Sequence, residues 1–333
     1  MTRNKNSLGE PMTEEERAAA EAAANKAKRR KKRKIKRAIM FTLLVLIGIG
    51  CIGVILYPMI SNLYSDQMQS KVHTAYEKKL DAVDNSALDY QFDIAQQYNR
   101  ELDRGLSYEE NRLAMDTKAY ESMLDPTGTG IMAYVDIPII DVYLPIYHGT
   151  ALANLDKGVV HLLGTSLPVG GESTHCALSA HTGLSSNKLF TDLESVKVGD
   201  VFYLHVMKQT LAYQVVRVDV VEPYDTSLLE IVPGEDLVTL ITCTPYGINS
   251  HRLLVRGSRI PYQEAVEIEK VQEEERPQVE SQWELMYLQG IKIGLIAAGS
   301  LIIIVIIICL IRKKLKKRRK QQEMLRKRNE EKE

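Results

Sequence analysis

Two long apolar segments near the ends of the chain enclose a region of shorter, more varied patterns. Residues 38–60 and 293–311 contain no charged side chain. As helices that rise 1.5 Å per residue, both are long enough to cross a hydrocarbon core of about 30 Å. A cleaved signal peptide is the alternative for the first segment, but its apolar run exceeds the 7 to 15 residues typical of such peptides. We predict uncleaved transmembrane helices at 38–60 and 291–311.

The region between these helices changes from a helical to a strand pattern. Over 61–122, apolar residues recur every three or four positions, which predicts helices. From Ile131 onward, short β-rich segments alternate with Gly, Pro, Asp and Ser, which predicts a mostly β fold, an all-β barrel of about eight strands. The predicted strands are 131–137, 142–146, 159–163, 176–179, 201–205, 211–221, 238–241 and 253–255. One short helix is predicted at 187–196.

Charge fixes the predicted orientation in the membrane. Residues 26–37 carry ten Lys or Arg, and 312–320 carry eight. Residues 61–290 carry 17 basic and 34 acidic side chains, which gives them a net charge of 17 minus 34, or −17. The positive-inside rule places both termini in the cytoplasm and 61–290 outside. Beside a membrane helix, the first basic block suits anionic lipid, and we expect no nucleic acid partner.

These patterns divide the chain into segments with distinct expected roles. The predicted segments are a basic cytoplasmic tail (1–37), a transmembrane helix (38–60), an extracellular helical region (61–122), a loop (123–130), a β-barrel domain (131–262), an acidic solvated linker (263–290), a second transmembrane helix (291–311) and a basic cytoplasmic tail (312–333).

Candidate chemistry gathers at the edges of the predicted strands. Cys243 follows one strand and Arg252 precedes the next, so an antiparallel pair would place a thiol beside a guanidinium. His181 follows another strand, and a Cys with a His elsewhere in the sequence suits nucleophilic catalysis. His175 is the nearest rival to His181. Cys176 is expected to be a buried core residue, with no disulfide to Cys243.

Four stretches of this region, taken in order, resemble the class C, or pilin-polymerising, sortases. They are Leu-Pro-Val-Gly-Gly at 167–171, Ser-Ala-His-Thr-Gly at 179–183, Leu-Phe-Thr-Asp-Leu at 189–193, and the stretch from Cys243 to Arg252. The resemblance implies a sortase-like barrel in which Cys243 attacks the Thr–Gly bond of an LPxTG-like sorting signal. His181 would protonate the leaving amine and Arg252 would stabilise the oxyanion.

The same resemblance implies the partners and the product. The expected substrates are pilin or surface proteins with LPxTG-like signals, the acyl acceptor is a pilin lysine, and neither a metal nor an organic cofactor is needed. It also implies a lid formed by Asp125, Pro126 and Thr127, in which Asp125 pairs with Arg252. Thr127 stands where the family has an aromatic residue, so this lid would bury less area.

Two other kinds of function stay open at this point. A sortase that anchors surface proteins to cell-wall peptide, or a cysteine hydrolase, would use the same residues with a different acceptor. A non-catalytic membrane adaptor would bind partners through its acidic surface and would retain its function when Cys243 is replaced. The acyl acceptor and the Cys243→Ala variant therefore discriminate among these possibilities.

Overall fold

The computed structural model describes residues 14–102, 105–149, 151–183, 187–275 and 281–330. The chain forms two compact units, Met1–Ile60 and Ser61–Glu333. The first helix, α1, runs over Glu14–Asp81, so its last turns belong to the second unit. Its first part and the last helix, α6 (Gln282–Glu330), are long and apolar enough to be candidate membrane spans. The predicted segments 38–60 and 291–311 lie within these helices.

Three helices follow α1 and confirm the predicted helical region. They are α2 (Asn85–Glu101), α3 (Tyr108–Ala114) and α4 (Thr117–Ser122). Ser107 and Glu110 form a capping box at the start of α3, which satisfies two backbone N–H groups that the helix leaves free. Asp116 accepts from two backbone N–H groups at the start of α4. Polar residues at the helix starts therefore set these boundaries.

Eight strands form a closed barrel, as the sequence predicts. Their order around the barrel is β1-β2-β3-β4-β7-β8-β6-β5. The strands are β1 (Ile131–Ile137), β2 (Val142–His148), β3 (Val159–His161), β4 (Thr174–Ser179), β5 (Val201–Val206), β6 (Gln209–Val221), β7 (Asp236–Thr244) and β8 (His251–Ile260). The short helix predicted at 187–196 is a 3₁₀ helix at Thr191–Ser195.

Alternation along β7 and its neighbours divides their side chains between two faces. Leu240 on β7 and Leu253 on β8 belong to the main core cluster inside the barrel. Ile241 and Leu254, one residue further along each strand, belong to a second cluster outside it, together with Leu229. Because side chains alternate with a period of two, Cys243 shares the outer face with Ile241.

The acidic segment after the barrel differs from the solvated linker expected at 263–290. Its first part forms α5 (Tyr262–Glu275), and Ala265 on this helix is fully buried with Tyr203 and Ala212 of β5 and β6. The Tyr203 hydroxyl donates to Glu269 at 2.5 Å. One face of α5 therefore packs on the barrel while its remaining acidic residues stay in solvent.

Candidate active site

The predicted neighbours Cys243 and Arg252 lie directly opposite each other on two strands. β7 and β8 are antiparallel, and their register pairs Cys243 with Arg252. Directly opposite residues of an antiparallel pair project to the same face of the sheet. The thiol and the guanidinium therefore start from adjacent positions on the outer face.

His181 joins these two residues through the other neighbour of β7. β4 runs parallel to β7, with Ser179 opposite Ile241. Two further bonds extend the alignment, since Ala180 N donates to Ile241 O at 3.1 Å and the Thr242 hydroxyl donates to Ala180 O at 2.9 Å. Continuing the register by two residues aligns His181 with Cys243.

His181, just past the end of β4, thus lines up with Cys243 and Arg252 on β7 and β8. We call these three residues the catalytic row, after the roles that the sequence predicts for them. Neighbouring strands lie about 4.8 Å apart, so the two outer backbone positions are separated by roughly 10 Å. Side chains of ordinary length can meet over the central thiol at that spacing. Cys243 is half-buried.

The backbone around His181 is held from its far side as well. Phe190 N donates to His181 O at 3.1 Å, and the Phe190 ring is fully buried in the barrel core. The imidazole Nε2 lies 3.8 Å from Asp156 Oδ1, within ion-pair distance for a protonated ring. That carboxylate is 73% exposed, so the pair contributes little to stability.

The end of β7 and the start of β8 are fixed by polar contacts on both sides of the catalytic row. Arg252 Nη1 donates to His251 O at 3.0 Å and to Asn249 O at 3.4 Å. The Thr244 hydroxyl, next to Cys243, donates to Glu194 Oε1 at 2.5 Å. The guanidinium is therefore engaged with its own loop in this structure, and its remaining N–H groups can bind a substrate oxygen.

His175, the nearest rival to His181, and Cys176 are both buried in the fold. His175 is fully buried; its Nδ1 contacts Glu230 O and its Nε2 contacts Thr239 Oγ1, both at 2.8 Å. Burial lowers the pKa of His175 to about 4. Cys176 is buried in the core, as predicted, and burial raises the pKa of its thiol. Neither side chain belongs to the catalytic row.

Asp125 contacts its own loop in this structure, and its lid contact with Arg252 stays a prediction. Asp125 accepts from Thr129 N and Gly130 N, both at 2.9 Å, and so closes its own loop before β1. Around the barrel, β1 is separated from β8 by β5 and β6 on one side and by four strands on the other. Pro126 and Thr127 belong to this same loop.

Two acidic residues near the catalytic row carried no sequence signal. Asp156 lies in the connection between β2 and β3, and Glu194 lies in the 3₁₀ helix after His181. Neither belongs to a spaced motif, and only the folded chain brings them to the row. Within the described ranges, no group of three His, Cys, Asp or Glu side chains is arranged to hold a metal ion.

Comparison with known proteins identifies the class. A model of the sortase domain matches residues 135–260. The crystal structure of sortase C from Streptococcus pneumoniae is 44% identical with a TM-score of 0.52, covering 58% of this chain and 97% of that chain. Sortase C1 from Streptococcus agalactiae is 40% identical with a TM-score of 0.53, and the match covers 57% of this chain and 98% of that chain. The chain therefore belongs to the sortase family, among the class C sortases.

Curated relatives are more distant. Sortase A of Bacillus anthracis is 30% identical over 130 residues, which are 39% of this chain and 60% of that protein. Sortase A of Streptococcus agalactiae is 29% identical over 117 residues, which are 34% and 47%. The chain thus spans about half the length of the curated relatives that it matches.

Proposed function

We propose that this protein is a pilin-polymerising transpeptidase that cuts an LPxTG-like sorting signal between Thr and Gly and joins the acyl part to a pilin lysine. The observation that supports the proposal is the register of three strands: Cys243 pairs with Arg252, and extending the β4–β7 register two residues past Ser179 brings His181 level with Cys243. The identity of 40 to 44% with class C sortase structures supports the pilin class of substrate, and one of those structures is described in terms of pilin substrate specificity.

In the first half of the reaction, the Cys243 thiol passes its proton to His181 and the sulfur forms a bond to the threonine carbonyl carbon. The Thr–Gly C–N bond then breaks, and the departing glycine amine takes a proton from His181. Arg252 N–H groups stabilise the negative charge that develops on the carbonyl oxygen. The thioester that remains links the donor pilin to Cys243.

In the second half, a lysine amine attacks the thioester carbonyl. A new C–N bond forms, the C–S bond breaks, and His181 takes the proton that the attacking amine loses. The product is an isopeptide bond between two subunits, and the proton on His181 returns to the departing sulfur to restore the Cys243 thiol. These steps use only the side chains of the row and the two substrates.

The proposed setting is the outer surface of a membrane. Both basic ends would lie in the cytoplasm near anionic lipid, and the barrel between the two apolar helices would face the exterior. Donor and acceptor would then meet the row outside the cell. Such substrates would be pilins or surface proteins that carry the sorting signal.

Anchoring of surface proteins to cell-wall peptide is the second candidate, because curated relatives of this chain are named sortase A. The chemistry at Cys243 is the same in both cases, so only the acceptor amine separates them. The higher identity to class C structures favours the pilin lysine.

The test uses the full chain in detergent micelles with a pilin subunit that bears an LPxTG-type tail. Covalent ladders on a denaturing gel are expected with the native chain and with Cys176→Ala, the matched control at the other cysteine of the barrel. Cys243→Ala should form none. Cleavage of the tail without ladders would favour anchoring or hydrolysis, and ladders that persist in Cys243→Ala would refute the mechanism.

A further inference from the structure

A stripe of three valines is exposed on one half of β6. Val216, Val218 and Val220 are 48%, 37% and 59% exposed. A β-bulge lies between Val215 and Arg217 and reverses the alternation that precedes it. Val218 and Val220 then pair with Val255 and Leu253, which are buried in the barrel core. We call Val216, Val218 and Val220 the valine stripe.

The valine stripe is exposed because the neighbouring strand ends too early to cover it. β5 pairs with β6 only as far as Gln214, and Val215 still bonds to the turn at Gly199 and Asp200. Over 216–221, within the residues that the structure describes, the one strand paired with β6 is β8. The side of β6 away from β8 is therefore a free strand edge.

Such an edge is unusual in a native protein. Free edges are ordinarily protected by charge, by proline or by a covering segment, because unpaired N–H and C=O groups recruit another strand. Here the charged pair Arg217 and Asp219, with N···O at 2.7 Å, lies between the valines and projects to the other face. The exposed face thus combines β-branched side chains with strand geometry, which suits pairing with an extended partner.

The free edge leads directly to the catalytic row. Val221, the last residue of β6, pairs with Arg252, which pairs with Cys243. A strand added to β6 would lie three strand spacings, roughly 14 Å, from the Cys243 backbone. An extended lysine side chain of about 6 Å and two or three extended residues at about 3.3 Å each can cover that distance. A partner paired with β6 can therefore deliver a lysine to the thioester.

Charge identifies which partner suits this edge. Residues 61–290 carry 34 acidic and 17 basic side chains, so a second copy of this region would be repelled. A segment whose lysines give it a net positive charge would be attracted instead. We propose that the β6 edge binds the acceptor pilin as an added strand, with the lysine-bearing residue two or three positions beyond the paired segment; this inference rests on the proposed function.

The proposal is tested by separating use of the acceptor from cleavage of the donor. The full chain in detergent micelles receives a pilin with an LPxTG-type tail as donor. The acceptor is either hydroxylamine or a pilin subunit without its own sorting signal. In the double variant Val216→Thr and Val220→Thr, the KM for the pilin acceptor should rise about fivefold, since two cross-strand contacts weaken. Transfer to hydroxylamine should keep its native rate.

A second variant, Val220→Arg, places a cation on the edge, and its matched control is Val271→Arg on α5, where the valine is 53% exposed. The KM for the pilin should rise with Val220→Arg and stay native with Val271→Arg. Equal KM values in all variants, with normal transfer to hydroxylamine, would overturn the inference alone. A native chain that never cleaves the donor would overturn the proposed function and the inference with it.

Light scattering supplies the remaining outcome. If the native chain forms pairs that Val220→Arg dissociates, the edge joins two copies of this protein and the proposal is wrong. Circular dichroism of each variant, matching the native spectrum, is required to attribute a change in KM to the edge.

Discussion

At the scale of single residues, the two fully buried histidines, His161 and His175, hold structural hydrogen bonds, unlike the partly exposed candidate His181. In His161, Nδ1 accepts from the Tyr120 hydroxyl and Nε2 donates to Ser166 O, both at 2.8 Å. In His175, Nδ1 donates to Glu230 O and Nε2 accepts from the Thr239 hydroxyl. These tautomers follow from the partners. Both rings are neutral at pH 7, because burial lowers the pKa of each to about 4.

The two histidines predict loss of stability in acid. Between pH 6.5 and 4 the unfolded imidazoles bind protons, whereas the buried ones in the folded chain stay neutral. The free energy of unfolding therefore falls as pH decreases through this window. At pH 5 the loss should be about 2 kcal/mol for each ring relative to pH 8. Urea unfolding of the micellar chain at both pH values measures it, and His175→Gln should lose about 2 kcal/mol less than the native chain. An equal loss in both proteins would contradict this account.

At the scale of elements, one asparagine ties α2 to the Leu-Pro-Val-Gly-Gly run at 167–171. Asn99 Nδ2 donates to Leu167 O at 3.1 Å, and Leu167 N donates to Asn99 Oδ1 at 2.7 Å. Asn99 is 2% exposed and Leu167 is fully buried, so water cannot replace either bond. This side chain acts as a strand partner for the run and holds a helix to the barrel.

Removing that side chain should destabilise the fold without touching the catalytic row. Asn99→Ala leaves a buried N–H and a buried C=O unpaired, and we expect the free energy of unfolding to fall by about 3 kcal/mol. Gln97→Ala, on the exposed side of the same helix, is the control and should change it by less than about 0.5 kcal/mol. Denaturant unfolding checks both. A loss below about 1 kcal/mol for Asn99→Ala would show that the loop relaxes.

The sequence predicted contacts between neighbouring segments better than contacts between segments far apart along the chain. A short loop joins β7 to β8, so the pairing of Cys243 with Arg252 followed from strand and loop signals alone. The alignment of His181 with Cys243 depends on a parallel pairing between β4 and β7, which no turn specifies. For that step the sequence offered only a resemblance between motifs.

Two expectations rested on local signals that do not specify a position in the folded barrel. The Asp125 loop carries a local Asp-Pro signal, but a local signal does not specify on which side of a closed barrel the loop lies. The acidic composition of 263–290 predicted a solvated segment, whereas α5 buries a narrow apolar stripe around Ala265 on the barrel. The exposed valine stripe could not be predicted from the sequence either, because its exposure depends on where β5 ends.

At the scale of the whole molecule, the sequence contains three kinds of region: basic ends, two apolar helices and an acidic middle region. Basic blocks stand outside two segments that can each cross a bilayer, and the acidic region between them contains the barrel. The proposed reaction joins secreted subunits, and it therefore requires the barrel to lie outside the cell. A first helix that remained uncleaved would hold it there at both ends.

That topology is testable by labelling single cysteines with a membrane-impermeant maleimide. In a chain whose four native cysteines are replaced by alanine, Ser227→Cys in the connection before β7 should label in intact cells. Ala19→Cys and Gln322→Cys, on exposed turns of α1 and α6, should label only after lysis, because the positive-inside rule holds both ends in the cytoplasm. Labelling of Ala19→Cys or Gln322→Cys in intact cells would contradict the two-pass arrangement. A mature chain that lacks the Ala19→Cys position would show instead that the first apolar segment is cleaved.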